Sequence, residues 1–467
     1  MHDLEKGLPV PSASIQEPEQ VHCSSKNEPG YESSVRNGHR DSTATCAQSL
    51  SSTPLDPIHV HKTSSESRCR AHLTILGAFL ALFCTFGQMN AFGTFQNYYH
   101  AHQLVTYEAS TISWIGSLQL WIFFFSGGFV GWLFDIYGPK PLMSAGTLCF
   151  VVSLMMTSIS TQYYQYLLGQ GILFGLGVGL IFYPSMASVS THFVEYRATA
   201  LGIAAAGSSL GGVMYPIMLQ QLFEKVGFGW TVRISGLLSG VLCLVAIFTV
   251  SASRHPEKHA GRSGLSVNKL QDARFLLLAA GSCLVALGLF IPFFYIVDFA
   301  ELPVPHGLAL SPQTSFLALA VMNGGGVFGR IAPAILSDVI GRFNLLAPSA
   351  FLSGLLTIAC WLSAKNTAGL MVYSVLYGFW SGSFIGVITP CVAQISDIRE
   401  IGSRIGCLYT IISFPSLVGG PIAGALLSHA QGSFTPMIVF SGITVMAGSF
   451  FILGAKLAID PKLLARV

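Results

Sequence analysis

From Ala71 onward the chain is a succession of apolar runs, each near the ~20 residues that a helix needs to cross roughly 30 Å of hydrocarbon. The runs fall at 71–95, 110–134, 141–160, 163–188, 197–221, 230–251, 273–297, 313–337, 344–363, 369–393, 404–427 and 436–458, with only Thr161 and Gln162 between the third and fourth. Backbone amides inside lipid must be bonded within their own segment. The expected fold is therefore an all-α integral membrane protein with twelve transmembrane helices. Composition agrees. Charged residues are 10% of the chain, against about 25% in soluble domains. The 49 glycines and 33 phenylalanines suit close helix packing in lipid.

Twelve spans put both termini on one side, and Lys and Arg choose which side. Lys140, Arg197, Arg254, Lys258, Arg262, Lys269, Arg274, Arg342, Arg399 and Arg404 fall in connections on the side of the termini, whereas the opposite loops hold Lys225 and Lys365, with Arg233 near a helix end. Both termini are predicted to be cytoplasmic. Residues 1–70, rich in Ser, Pro, Glu and His, cannot bury enough surface to fold and read as a disordered tail whose Ser and Thr offer modification sites. No apolar signal-peptide core follows Met1, and without a targeting signal the plasma membrane is the default location. The polar, basic loop 252–272 divides two six-helix halves, 71–251 and 273–458, and leaves 459–467 as a C-terminal tail.

The halves echo one another. Gly131–Gly138 (GWLFDIYG), followed by Lys140, returns about 200 residues later as Ala334–Gly341 (AILSDVIG), followed by Arg342. Pro184 and Arg197 return as Pro390 and Arg404, and Gly211-Gly212 before Pro216 as Gly419-Gly420-Pro421. Such duplication predicts two pseudo-symmetric halves with a solute cavity between them at the midplane. In the repeated loop, Asp135 and Asp338 can accept N–H bonds at a helix N-terminus. Gly138 and Gly341 permit a tight turn, and Lys140 and Arg342 offer charged partners. Gly131, Asp135, Gly138, Lys140, Asp338, Gly341 and Arg342 thus read as gating loops that latch the cytoplasmic face in one state and release it in another. The alternative is a polar turn that only sets topology.

Arg330 stands inside the eighth apolar run, about 8 residues or roughly 12 Å of helix from Asp338, where a charge is expensive. A guanidinium can clamp a carboxylate bidentately; the competing reading is a structural arginine bonded to carbonyls. Asn323, seven residues earlier, shares its face. Asn90, a polar residue near the outer end of the first helix, is either a solute contact or a helix–helix bond. Tyr183, Tyr377, Trp380 and Tyr409 line a cavity or fill a core. Asp298 and Glu301, at the outer end of the seventh helix, suit a proton or entry role or a solvated loop. Ten scattered cysteines show neither CxxC nor a Cys/His cluster, so no metal site is expected. Without a GxSxG, P-loop or HExxH motif, neither enzyme nor ATP-driven pump is expected, and no cofactor. A net charge of +3 gives no nucleic-acid footprint.

The two loops resemble the loop motif of the major facilitator superfamily. Finer stretches resemble its monocarboxylate porter family, in particular the fungal branch: GQMNAFGTFQNYY (Gly87–Tyr99), ISWIGSLQ (Ile112–Gln119), FYPSMASVSTHFVEYRATALGIAAAGSSLGG (Phe182–Gly212), FGR (Phe328–Arg330) and GGPIAG (Gly419–Gly424). The resemblance covers about 71–458. It implies a carrier with cytoplasmic termini that works by alternating access, commonly with a proton, and whose eighth-helix arginine, matched by Arg330, belongs to the substrate or proton site. Two departures stand out. The family's first-helix lysine is missing from Ala71–Tyr99, and Gly326 occupies the place of an aspartate one turn before the arginine. Gly324-Gly325-Gly326 leaves backbone space beside Arg330, as a bulkier solute or another proton route would need. A drug–proton antiporter is disfavoured, because the fifth helix lacks the Gly-Pro pair and Tyr163–Ser188 lacks an arginine.

The expected function is secondary transport of a small organic solute, an organic acid or acidic metabolite, across the plasma membrane, proton-linked as the resemblance implies. The alternative is efflux of a fungal secondary metabolite made by a clustered pathway. A different class, the non-transporting membrane sensor, would carry a folded cytoplasmic domain, which neither the tail nor the central loop provides.

Overall fold

The computed structural model describes residues 65–107, 109–193, 196–253, 272–303, 307–397 and 400–462. The tail up to residue 64, the central loop over 254–271 and the C-terminal tail from 463 lie outside the described residues. All regular structure among the described residues is helical. The first span, Arg68–Gln103, breaks at Ala91, and its helix already begins at Ser65, inside the segment expected to be tail. The second bends by 41° between Thr111–Phe125 and Gly127–Tyr137. The third is Pro139–Ile159 and the fourth Tyr163–His192. The fifth and sixth are the two arms of one 53-residue stretch, Arg197–Thr249, broken at Gly227. The seventh to twelfth are Ala273–Glu301, Pro312–Ile340, Arg342–Trp361, Thr367–Gln394, Ile401–His429 and Thr435–Ile459.

Among the described residues ten helices are long and apolar enough to cross a membrane, or eleven with the bent pair as one span; reading the 53-residue stretch as two arms divides them into the twelve segments named above. Asn90 ends the first helical segment, Ser65–Asn90, as expected, and the span runs on past a break at Ala91 to Gln103.

The ends that carry the basic connections gather at one end of the bundle, called here the basic end. There Thr74 Oγ1 meets Ser251 Oγ at 3.1 Å, and His192 Nε2 lies 2.8 Å from the Ser251 carbonyl, tying together the first, fourth and sixth spans. Within each half the third and sixth spans are peripheral. Their outer faces expose Leu148 and Ile159 in the third span, Leu237 and Phe248 in the sixth, and Phe450 in the twelfth. Apolar surface of this kind is what a lipid-facing helix presents.

Helices approach closely where glycines face a neighbour's backbone. A Cβ on Gly325 would meet the Val375 carbonyl, and one on Gly329 the Phe379 carbonyl, so the eighth span lies directly on the tenth. Of the glycine run expected to leave space beside Arg330, only Gly324 is open, with nothing within 4 Å of a Cβ placed there. Gly325 is filled by the tenth span, and a Cβ on Gly326 would lie 2.8 Å from Ser209 Oγ.

The bend between the fifth and sixth spans rests on one residue. Gly227 has φ 74 and ψ 171, a region open essentially to glycine alone. A Cβ there would meet nothing within 4 Å, so substitution tests backbone conformation without a clash. Gly227→Ala should cost about 1–3 kcal/mol and lower the apparent melting temperature in detergent by a few degrees. An unchanged melting curve would show that the bend is not imposed here.

Candidate functional site

At the basic end the repeated loops do something that neither does alone. Asp135 closes the second span, yet it accepts the Gly402 N–H at 3.2 Å, the Ser403 N–H at 2.9 Å and the Ser403 hydroxyl, all at the start of the eleventh span. Asp338 closes the eighth span and accepts the Ala198 N–H at 3.1 Å, the Thr199 N–H at 2.7 Å and the Thr199 hydroxyl at 2.8 Å, at the start of the fifth. Each carboxylate therefore caps a helix of the other half, where free N–H groups and the helix dipole favour an anion.

Gly138 and Gly341 turn the chain just beyond, with φ of 75 and 105. Arg342 pairs with Asp338 at 3.2 Å. Lys140 does not match it; the lysine is exposed and makes no ion pair with Asp135 among the described residues. Gly131 lets the second and eleventh spans touch, since a Cβ there would strike the Gly402 carbonyl. Arg197 adds a further bond between halves, donating from Nη1 to the Ala393 carbonyl at 3.0 Å. Its sequence counterpart Arg404 donates to Ile395, within its own half.

Between the halves lies a cavity of about 640 Å³, lined by the first, second, fourth, fifth, seventh, eighth, tenth and eleventh spans. Its lining runs from Arg330, Ile388 and Tyr409 at mid-height to Gln96, Asp298 and Ser428 near the end remote from the basic loops. Arg330 is buried, and Nη1 donates to Ser209 Oγ of the fifth span while Nε has no partner among the described residues. Asn323 lines the same cavity, with Nδ2 donating to the Leu319 carbonyl at 3.1 Å. Asn90 also lines it. A Cβ on Gly212 would lie 2.8 Å from Asn323 Oδ1 and 2.9 Å from Asn90 Nδ2, so the two asparagines, one from each half, flank one glycine.

Tyr409 lines the cavity and its hydroxyl meets Thr389 Oγ1 at 3.1 Å. Tyr183 does not. Its hydroxyl donates to the Phe123 and Phe124 carbonyls at 3.2 and 3.4 Å, and its ring stacks on Phe123, behind the wall. Tyr377 is likewise turned away, donating to the Leu289 carbonyl at 2.6 Å. Of the acidic pair on the seventh span, Asp298 lines the cavity and Glu301 does not.

Two polar residues of this site are missing from the sequence reading. Ser209 holds Arg330, and Gln119 lines the cavity fully buried, its Oε1 without a partner among the described residues. Gln119 carried a readable signal, an amide in the middle of the second apolar run. Ser209 carried none, because serine is common in these helices and mostly bonds back to its own backbone.

Two bundled halves around a central amphipathic cavity, joined at one end and parted at the other, define a membrane carrier. Residues 74–362 match the family model of the Major Facilitator Superfamily, and the chain belongs to that superfamily. It is 40% identical to the MFS transporter asaE of Aspergillus flavus over 83% of this chain and 87% of that one. It is 39% identical to the agnestins efflux protein AgnL12 of Paecilomyces divaricatus (86% and 91%) and 38% identical to the aspyridones efflux protein apdF of Emericella nidulans (84% and 79%). The fold is similar to that of the Escherichia coli fucose:proton symporter FucP, with a TM-score of 0.61 at 15% identity, over 82% of this chain and 98% of that one.

The exchanged caps make a direct prediction. With Asp135→Asn and Asp338→Asn together, the helix ends lose their anionic partners and the basic end should part more often. A cysteine at Ser208, within the cavity, should then react several-fold faster with a membrane-impermeant thiol reagent applied from the basic side. Equal rates in the double variant and the parent would reduce these loops to topology signals.

Proposed function

We propose that this protein is a secondary carrier that exports an acidic organic metabolite by alternating access. The observation that carries this reading is the mid-height guanidinium of Arg330, buried at the floor of a largely apolar cavity with Nε unpartnered. An arginine at that depth costs about 2.5–3.5 kcal/mol by insertion scales, so it is retained for a partner, and an anionic solute supplies one. Asn323, Asn90, Tyr409 and Gln119 add polar groups to the same lining. Efflux is favoured over uptake by the relatives that bear that description, the agnestins and aspyridones efflux proteins.

By the distribution of Lys and Arg the basic end faces the cytoplasm, and the plasma membrane is taken as the default location of the carrier. The cavity then faces outward, the state in which an exported solute leaves. Asp135 and Asp338, with Gly131, Gly138, Gly341 and Arg342, hold that state by the exchanged caps. The monocarboxylate-porter resemblance fits the place of Arg330, and a proton would be the coupling ion. Asp298 is the acidic residue among those lining the cavity, and so the one placed to carry it.

The test is substitution at Arg330 with transport measured in inverted vesicles. Arg330→Lys keeps the charge but loses the planar fork, and the lost charged hydrogen bond should raise the apparent KM about tenfold. Arg330→Gln strands the solute's anion in a low-dielectric site and should raise it about a hundredfold or more. A structural arginine predicts poor insertion instead, with near-normal affinity in the protein that survives. Parental affinity for an anionic substrate in folded Arg330→Gln protein would end the anion reading.

A further inference from the structure

The fifth and eighth spans pass each other in a fixed register. A Cβ on Gly202 would strike the Arg330 carbonyl and Ala334, one on Gly326 would lie 2.8 Å from Ser209 Oγ, and one on Gly212 would meet Asn323. At the lower level the fifth span supplies a hydroxyl, Ser209, which accepts from Arg330 Nη1. About one turn further along it supplies Gly212, and no hydroxyl.

The polar groups around that glycine are left open. Asn323 Nδ2 donates to the Leu319 carbonyl at 3.1 Å, and this bond orients the amide so that Oδ1 points to Gly212. Asn90 Nδ2 reaches the same place from the other half, where the first helical segment ends. The two atoms lie 2.8 and 2.9 Å from the position that a Cβ on Gly212 would take, yet neither has a hydrogen-bond partner among the described residues. Both residues line the cavity, Asn90 half-buried and Asn323 at 3% exposure.

A buried amide oxygen left without a donor is costly. A hydroxyl answers both atoms at once, because its oxygen accepts from Asn90 Nδ2 while its hydrogen goes to Asn323 Oδ1. A carboxylate has no hydrogen to give to Asn323. The helix sets the spacing. Asn323 stands seven residues from Arg330, farther from the basic end by roughly 10 Å of rise.

We propose, on the basis of the anion reading above, that Asn90 and Asn323 form a second subsite across Gly212, which takes a neutral hydroxyl of the solute about 10 Å from its acid group. The transported solutes are then hydroxy acids with the two groups at opposite ends of the molecule. Gly212 is the residue whose missing side chain leaves room for the hydroxyl, and a solute held this way bonds to both halves.

The test is equilibrium binding of probes to the purified full chain in lipid nanodiscs at neutral pH. The probes are 4'-hydroxybiphenyl-4-carboxylate, biphenyl-4-carboxylate without the hydroxyl, and 4-hydroxybiphenyl without the acid. The parent protein should bind the hydroxy acid about tenfold more tightly than biphenyl-4-carboxylate. Asn90→Ala removes the donor and Gly212→Ala fills the space, and each should narrow that ratio to about threefold or less. The gain from the acid group, read against 4-hydroxybiphenyl, should keep its parental size in both variants. Equal affinity for the two acids in the parent, a ratio untouched by both variants, or no binding of the hydroxy acid at millimolar concentration would each overturn the proposal. Loss of the acid gain together with the hydroxyl gain in both variants would make Asn90 and Gly212 structural residues and overturn it as well. If 4-hydroxybiphenyl binds as well as the hydroxy acid and Asn90→Ala weakens both, the anion reading fails and the hydroxyl subsite stands.

Discussion

At the basic end each half lends the other a carboxylate. The start of an α-helix leaves N–H groups that its own backbone cannot bond, and in the fifth and eleventh spans those groups are met by Asp338 and Asp135 across the interface between halves. Parting the halves at this end would strip two helix starts of their acceptors. It would also take from Asp338, buried to 7% exposure, the donors of the other half, while Arg342 of its own half stays beside it. The opposite end has no such exchange among the described residues, and the cavity lining reaches toward it through Gln96, Asp298 and Ser428.

The two crossings that carry the exchange are also the places where side chains vanish. Gly131 and Gly402 pass at backbone contact, as do Gly127 and Gly406, and Gly202 rests on the Arg330 carbonyl. Small residues give two helices a rigid-body pivot, because no rotamer has to change for one to rock on the other. The bend in the second span sits in the same crossing, with the Gly128 N–H given to Thr410 Oγ1 at 2.8 Å and that hydroxyl donating to the Phe125 carbonyl at 3.0 Å. A residue of one half thus satisfies the backbone that the bend in the other half frees.

The cavity divides its labour in a related way. Arg330 comes from one half and its bonded neighbour Ser209 from the other, and Asn323 faces Asn90 across Gly212. The polar groups at the floor therefore belong to an interface and not to either six-helix bundle. A solute bonded to them is held by both halves, which is what allows its binding to bias their relative position.

Helix number and length were legible in the sequence because hydrocarbon thickness sets them, one apolar run at a time, and Arg330 was legible because a charge in such a run is costly wherever its neighbours lie. The repeated Asp135 and Asp338 loops could be read as helix-end carboxylates, since Asp, Gly and turn chemistry are local. Which helix each one caps was not legible, because Asp135 and Ser403 are 268 positions apart and nothing in either local pattern names the other. The same distance hid Ser209, sent Tyr183 behind the wall while Tyr409 faced the cavity, and turned Gly325 from apparent open space into contact with the tenth span. The sequence by itself determined the succession of apolar helices, their duplication and the costly cation Arg330 within one of them, through rules of length, turn geometry and solvation that act within a single segment. Only the tertiary structure decided the pairing of halves, the wall of the cavity and the partners of its polar groups, because those depend on which faces of separate helices meet.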